Sequence, residues 1–370
     1  MKYTLRGVDL KLSNKFFKRI ILLTLILSVF FIPGSALIGQ SLKGAYPVFP
    51  PAGPLQGKPV EHQVRFLKSM GFNLAGGRFS DGSIPKQLRG AGFKTLGVVV
   101  LWQGEEHWKS HPASQPILAD GSAMPKVKEY AGVCPNQEWL EKQKLEEIKG
   151  MLSSHDYDVI CLDFMRYPVY WEVPEPKFPD TCYCPACLGK FQKDTRVRIP
   201  KELNRVTDQS AWIRKNHADR WYRWRADQIT AFCTKVSGLR DQLSPKTLIS
   251  LAAVPWQPSD YENAIYKVVG QDFRALAKVI EVFCPMSYSV LNGRTTEWIG
   301  EVNAYFVRET GRQVVPFILV DPKIKVPVST WKEIYRQASS QGGDGFIVFP
   351  FPNLAGNDAY NVFWDMFGHR

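Results

Sequence analysis

The chain has 370 residues, 45% of them hydrophobic and 13% aromatic, which is enough to bury a real core and excludes a disordered polypeptide. That length suits one large barrel or two ordinary domains. The formal net charge is +12, but residues 1–36 carry +5 of it; the +7 left is spread thinly, with no basic stripe interleaved with aromatics, so nucleic acid is not an expected partner.

Residues Ile20 to Ile32 form an apolar run preceded by Lys15, Lys18 and Arg19 and followed by Pro33, Gly34, Ser35 and Ala36. This is the layout of a secretory signal peptide over residues 1–36, and the run is shorter than the ~20 residues of a spanning helix. An uncleaved N-terminal anchor is the alternative, and it would be the only link to a membrane. Either way the rest of the chain is expected to be exported, to the periplasm or the medium. No Cys follows the run, which argues against a lipid anchor.

Residues 37–43 read as a linker, and Tyr46 to Phe49 as a first strand. From Val60 the chain alternates. Helical periodicity over Val60–Met70 is followed by a strand at Phe72–Phe79, a helix at Ile84–Ala91 and a buried strand at Thr95–Trp102. A long polar loop follows with Glu105, Glu106, His107, His111 and Asp120. Asn136 is placed to cap a helix running to Ser153. The stretch Tyr157 to Pro168 starts as a short apolar strand and changes abruptly to Asp163, Arg166 and Tyr167. A Pro-rich, Cys-containing insertion covers 169–216, and a long helix is expected from Ala218 to Leu243. Then come strands at Thr247–Trp256, Val279–Tyr288, Gln313–Val320 and Gly345–Phe351. Helices are expected at Tyr261–Lys278, Thr296–Thr310, Thr330–Ser340 and Ala359–Phe367.

Eight strands alternating with helices predict an α/β fold, a (β/α)₈ TIM barrel over residues 44–370 with the insertion after strand four. A doubly wound open sheet also alternates, but no Gly-rich phosphate loop follows the first strand. Barrel enzymes act where strands end and βα loops begin. Those positions hold Asp81, Trp102, Glu105, Asp163, Arg166, Tyr167, Trp256, Tyr288 and Asp321. Sugar rings offer apolar faces to aromatics and hydroxyls to carboxylates, so this mixture predicts a carbohydrate partner. Glycosidic hydrolysis uses two carboxyl groups. Asp163 is the first candidate, as nucleophile or base, with Arg166 holding it ionised or binding substrate. The candidate proton donors are Glu172, Asp321, Glu105 and Glu106, with Glu172 and Asp321 favoured. Strands five and six end in Val254-Pro255-Trp256 and Pro285-Met286-Ser287-Tyr288 and offer no carboxylate. Arg166, Tyr167, Trp102, Trp171, Trp256 and Tyr288 are the candidate sugar-binding residues.

Leu162-Asp163-Phe164-Met165-Arg166-Tyr167-Pro168 resembles the Leu-Asp-(Tyr/Phe)-Ile-Arg-(Tyr/Phe)-Pro element of the glycosyl-hydrolase-like TIM barrels of bacteria. Pro285 to Tyr288, His111-Pro112, Ala119-Asp120-Gly121, Gly132 to Asn136 and Thr181 to Cys187 resemble segments of the same group. The resemblance spans roughly Gly44 to Phe367. It implies a TIM barrel and glycoside hydrolysis, with Asp163 as the functional acid. Met165 stands where Ile is more usual, and strand five lacks the Glu of an amylase-like site.

Among the seven Cys, Cys161, Cys233 and Cys284 sit in apolar runs and read as core residues. Cys182-Tyr183-Cys184-Pro185-Ala186-Cys187 has half of a zinc-knuckle spacing, and Cys134 is the one further loop Cys. An exported compartment favours a disulfide; free thiols and a structural metal are the alternatives. No His cluster accompanies the carboxylates, so neither a catalytic metal nor a cofactor is expected. Two rivals to a glycosidase stand: a non-catalytic carbohydrate-binding barrel of the cell envelope, and a metal-dependent hydrolase using the third-strand loop.

Overall fold

Strands form where β-branched and other apolar residues run together, and helices where they recur every three or four positions. The computed structural model describes residues 41–354 and 357–368, all within one compact unit, Gln40–Arg370. The expected signal segment lies outside the described residues. In chain order the elements are β1 (Leu42–Phe49), α1 (Val60–Ser69), β2 (Leu74–Gly77), α2 (Ser83–Gly90), β3 (Lys94–Val100) and α3 (Glu105–Ser110). Next are α4 (Glu138–Ser154), β4 (Val159–Asp163), α5 (Pro185–Thr195), α6 (Val206–Leu243), β5 (Leu248–Ala253), α7 (Ala264–Lys267), α8 (Phe273–Leu276) and β6 (Val282–Pro285). The chain ends with α9 (Glu297–Thr310), β7 (Gln313–Val314), β8 (Phe317–Leu319), α10 (Val328–Ala338), β9 (Gly345–Phe349) and α11 (Asp358–Phe367).

All neighbours pair in parallel, in the order β7-β6-β5-β4-β3-β2-β1-β9-β8. The two end strands are consecutive in sequence, and together they close the ring. Val315 N donates to Phe283 O (2.9 Å), while Ile347 N donates to Pro316 O (2.9 Å). This is the (β/α)₈ barrel that the alternation predicts, with one strand position made of two pieces. The expected continuous strand over Gln313–Val320 breaks at Pro316, which has no N–H to give to a ladder.

Other expectations are corrected locally. The linker gives way to β1 already at Leu42. The helix expected over Tyr261–Lys278 is instead a short 3₁₀ turn plus α7 and α8, because Tyr261, Glu262 and Asn263 all take positive φ. The helix expected from Ala218 starts at Val206 and bends at His217, so it takes up the last part of the 169–216 segment. Asn136 does not cap α4, which starts after Gln137; its side chain is engaged elsewhere, as described below. Because every strand is parallel, all C-terminal ends meet on one face. The long segments after β3 and β4 rise over that face, and they build the site. No helix among the described residues is long and apolar enough to cross a membrane.

Candidate active site

β4 is held by complete burial of Ile160, Cys161 and Leu162 between β3 and β5. The two aliphatic side chains, Ile160 and Leu162, contribute roughly 1.5–3 kcal/mol each. The strand therefore fixes Asp163 at its tip. Phe164 then takes a left-handed conformation (φ 54°), which turns the chain sharply. Its N–H donates to Asp163 Oδ1 at 2.7 Å, and Arg166 N donates to Phe164 O at 2.8 Å. The turn folds the Arg166 guanidinium over the Phe164 ring, 4.6 Å from its centroid. Arg166 is only 3% exposed, yet among the described residues its Nε and Nη1 have no hydrogen-bond partner and it makes no ion pair within 4.0 Å. Buried donors of that kind ordinarily have partners, so these two are available to a ligand.

Above Arg166 lies a cavity of about 320 Å³, lined by Gln103, Lys128, Tyr130, Phe164, Tyr170, Trp171 and Glu172 among others. Tyr130 and Phe164 stack with centroids 5.8 Å apart. Trp171 stacks on Tyr288 at 5.7 Å, which ties the β4 loop to the end of β6. Tyr288 in turn stacks on Phe349 of β9. Aromatic faces and a buried guanidinium thus share one wall with Glu172.

Burial pushes the Asp163 carboxyl up from its ordinary value; Arg166 and the Phe164 N–H pull it back. Burial also pushes Glu172 up; Arg166 and Lys128 oppose that, while the negative charge of Asp163 adds to it. An ionised Asp163 thus favours the proton on Glu172. Burial, Glu172 and Asp163 together drive the Tyr288 phenol well above its usual range. The group can accept and deliver a proton beside a buried cationic hydrogen-bond donor.

Of the residues singled out in the sequence, Arg166, Trp171 and Glu172 line this cavity, Tyr288 packs against Trp171 beside it, and Asp163 lies at the tip of β4 outside the lining, where its charge acts on Glu172 and Tyr288. Others lie elsewhere. Trp102 is 1% exposed and packs edge-on against Phe232 of α6, so it is a core residue. Tyr167 points away from the cavity, its hydroxyl accepting from Asn136 Nδ2 at 2.9 Å and its ring covered by the Arg225 guanidinium. Trp256 packs on Phe178 and Tyr261 outside the cavity lining. Asp321 caps its own loop by accepting from Lys323 N at 2.8 Å. Glu105 pairs with Lys126 and Lys109 on the surface, and Glu106 lies 3.7 Å from His107. The cavity also uses Gln103, Tyr130 and Tyr170, which the sequence reading passed over. Tyr130 stands two positions before the Gly132–Asn136 segment already singled out, and that adjacency was the available signal.

The cysteine cluster is not a disulfide. All seven thiols are free, and Cys134 Sγ lies 3.4 Å from Cys187 Sγ and 3.7 Å from Cys184 Sγ, against ~2.05 Å for an S–S bond. Cys134, Cys182, Cys184 and Cys187 are the residues that could hold a metal; their sulfurs all lie within 4.8 Å of one another.

Fold and site together define a parallel β/α barrel with a carboxyl- and aromatic-lined cavity at the C-terminal end of its strands. No family model matches the chain, and no curated protein matches it. Solved structures do. The chain is similar to the glycoside hydrolase domain of PgaB (BpsB) from Bordetella bronchiseptica, at 12% identity and a TM-score of 0.63 over 90% of this chain and 99% of that one. It is similar to the catalytic domain of β-amylase from Paenibacillus polymyxa, at 13% identity and a TM-score of 0.55 over 90% and 98% of the two chains. It is also similar to Gan42B, a GH42 β-galactosidase from G. stearothermophilus, at 13% identity and a TM-score of 0.62. There the match covers 90% of this chain and 57% of that one. At these identities the likeness establishes the fold alone, a TIM barrel.

Proposed function

We propose that this chain is an exported glycoside hydrolase that cleaves O-glycosidic bonds of a poly- or oligosaccharide. The observation that carries the reading is Glu172 in the cavity wall with the unpartnered Arg166 guanidinium, and Asp163 at the β4 tip three residues before Arg166; burial pushes both carboxyls up and the Arg166 charge opposes it in each. Glu172 gives its proton to the leaving oxygen as the anomeric C–O bond breaks. Asp163, whose ionised form is supported by the Phe164 N–H and by Arg166, attacks the anomeric carbon or takes a proton from the water that does. The free Arg166 donors bind sugar hydroxyls, and Tyr130 and Tyr170 supply faces for the ring. The three similar structures, a glycoside hydrolase domain, the catalytic domain of a β-amylase and a β-galactosidase, support this reading. The basic-apolar-small layout of residues 1–36 supports export.

The test is reducing-end release from a panel of polysaccharides, with sugar binding followed in parallel by calorimetry. Release from at least one polymer is expected. Binding without release would favour a non-catalytic carbohydrate-binding barrel, and neither binding nor release across a broad panel would overturn the carbohydrate assignment.

A further inference from the structure

Four cysteines stand outside the chemistry proposed for the cavity. Cys134 comes from the segment between β3 and α4; Cys182 and Cys184 precede α5, and Cys187 lies in its first turn. All four are buried. A tetrahedral ion with metal–sulfur bonds of ~2.3 Å sets its sulfurs ~3.8 Å apart. The observed 3.4 Å and 3.7 Å separations, with every sulfur within 4.8 Å of the others, match that spacing around one centre. The surroundings suit thiolates. Cys184 is the N-cap of α5, with Pro185 following, so the positive end of an eleven-residue helix faces the cluster. Asn136 Nδ2 donates to Cys187 Sγ at 3.2 Å, the type of outer bond that orients a metal ligand.

We propose that Cys134, Cys182, Cys184 and Cys187 bind one zinc ion, and that this ion sets the loop that carries Arg166. Four protein sulfurs leave no open coordination position, so the ion is structural. It ties the β3 segment to α5. The tie reaches the cavity through Asn136, whose Nδ2 bonds both Cys187 Sγ and the Tyr167 hydroxyl, 3.2 Å and 2.9 Å away. Tyr167 directly follows Arg166. Zinc thus acts as a positioning element for the guanidinium, independently of which bond the cavity cleaves.

Metal analysis of the full chain, purified without a metal-affinity step, tests this. One zinc per chain is expected, with seven thiols titratable in denaturant after chelation. Cys134→Ser and Cys187→Ser should lose the zinc, while Cys233→Ala, outside the cluster, keeps it. Should the serine variants fail to fold, chelator-treated wild type is titrated with Co²⁺. A thiolate-to-cobalt charge-transfer band saturating at one ion per chain, displaced by zinc, is the expected result. Fewer than seven thiols without metal would mean a disulfide and overturn the site. Iron in place of zinc would overturn the identity of the ion, and seven thiols with neither metal nor a cobalt band would overturn both. For the positioning role, Asn136→Ala should retain zinc while changing the protease sensitivity of the 164–175 segment; an unchanged cleavage pattern would remove that link.

Discussion

Asp163 and Glu172 hold their protons to higher pH in the folded chain than in the unfolded one, because burial outweighs the pull of Arg166 in both. In that window the fold binds the extra protons, so the stability they contribute is present at low pH and lost as pH rises through the folded values. Above their ordinary carboxyl values they therefore cost the fold stability. Asp163→Asn, which keeps an oxygen for the Phe164 N–H, should therefore melt higher than wild type at pH 7. The gain should shrink as pH falls toward 3.8, the carboxyl's ordinary value; scanning calorimetry across that range measures it. Arg166→Met removes the shared cation and should push both carboxyls further up, moving the acid limb of the pH–rate profile to higher pH. An unmoved limb would place Arg166 outside the electrostatics of the pair. At this scale the sequence was legible where chemistry ends a strand, as at Asp163 and Arg166. It was misleading where a strand-end aromatic turned inward, as Trp102 did against Phe232. Tyr167 was misplaced because adjacent residues after a sharp turn need not face the same way; Arg166 faces the cavity and Tyr167 faces Asn136.

The elements show where local pattern stops deciding structure. Apolar runs located each strand of the barrel, since burial from both sides needs little more than that. They could not reveal the break at Pro316, which depends on having a partner strand on each side to share. Nor could they show that Tyr261–Asn263 leave helical space, because helical periodicity persists through the residues that do so. Closure of the ring makes its own demand at Gly345. There φ is +123°, and a Cβ would sit 1.8 Å from Leu42 O, inside the β1–β9 ladder. Gly345→Ala should cost on the order of 3 kcal/mol or more, since neither backbone can yield without opening the sheet. Chemical denaturation gives the number; a loss below ~1 kcal/mol would mean the ladder tolerates a shift there. Leu162→Ala, which empties a fully buried place behind Asp163, should cost about 2–5 kcal/mol.

For the whole molecule, the barrel supplies a rigid floor and the segments after β3 and β4 supply the walls. The floor was readable as a count of alternating elements. The walls were not, because Gln103, Tyr130 and Glu172 meet only after two long segments cross over the strand ends. The proposed leader makes a separate prediction. Expressed whole in a bacterium, the chain should leave the cytosol, with a new N-terminus near Ala36 if residues 1–36 are a signal peptide and Met1 retained on the membrane if they anchor it. Cytosolic accumulation of the uncleaved chain would contradict export. In the proposed chemistry Asp163 and Glu172 act as one unit, and a double-mutant comparison of sugar release tests that coupling. Asp163→Asn and Glu172→Gln should each lower kcat by about 10²–10⁴-fold, and the double variant should fall little further than the worse single one. Full activity in either single variant, or losses that simply multiply in the double, would show that the two carboxyls do not work as a pair.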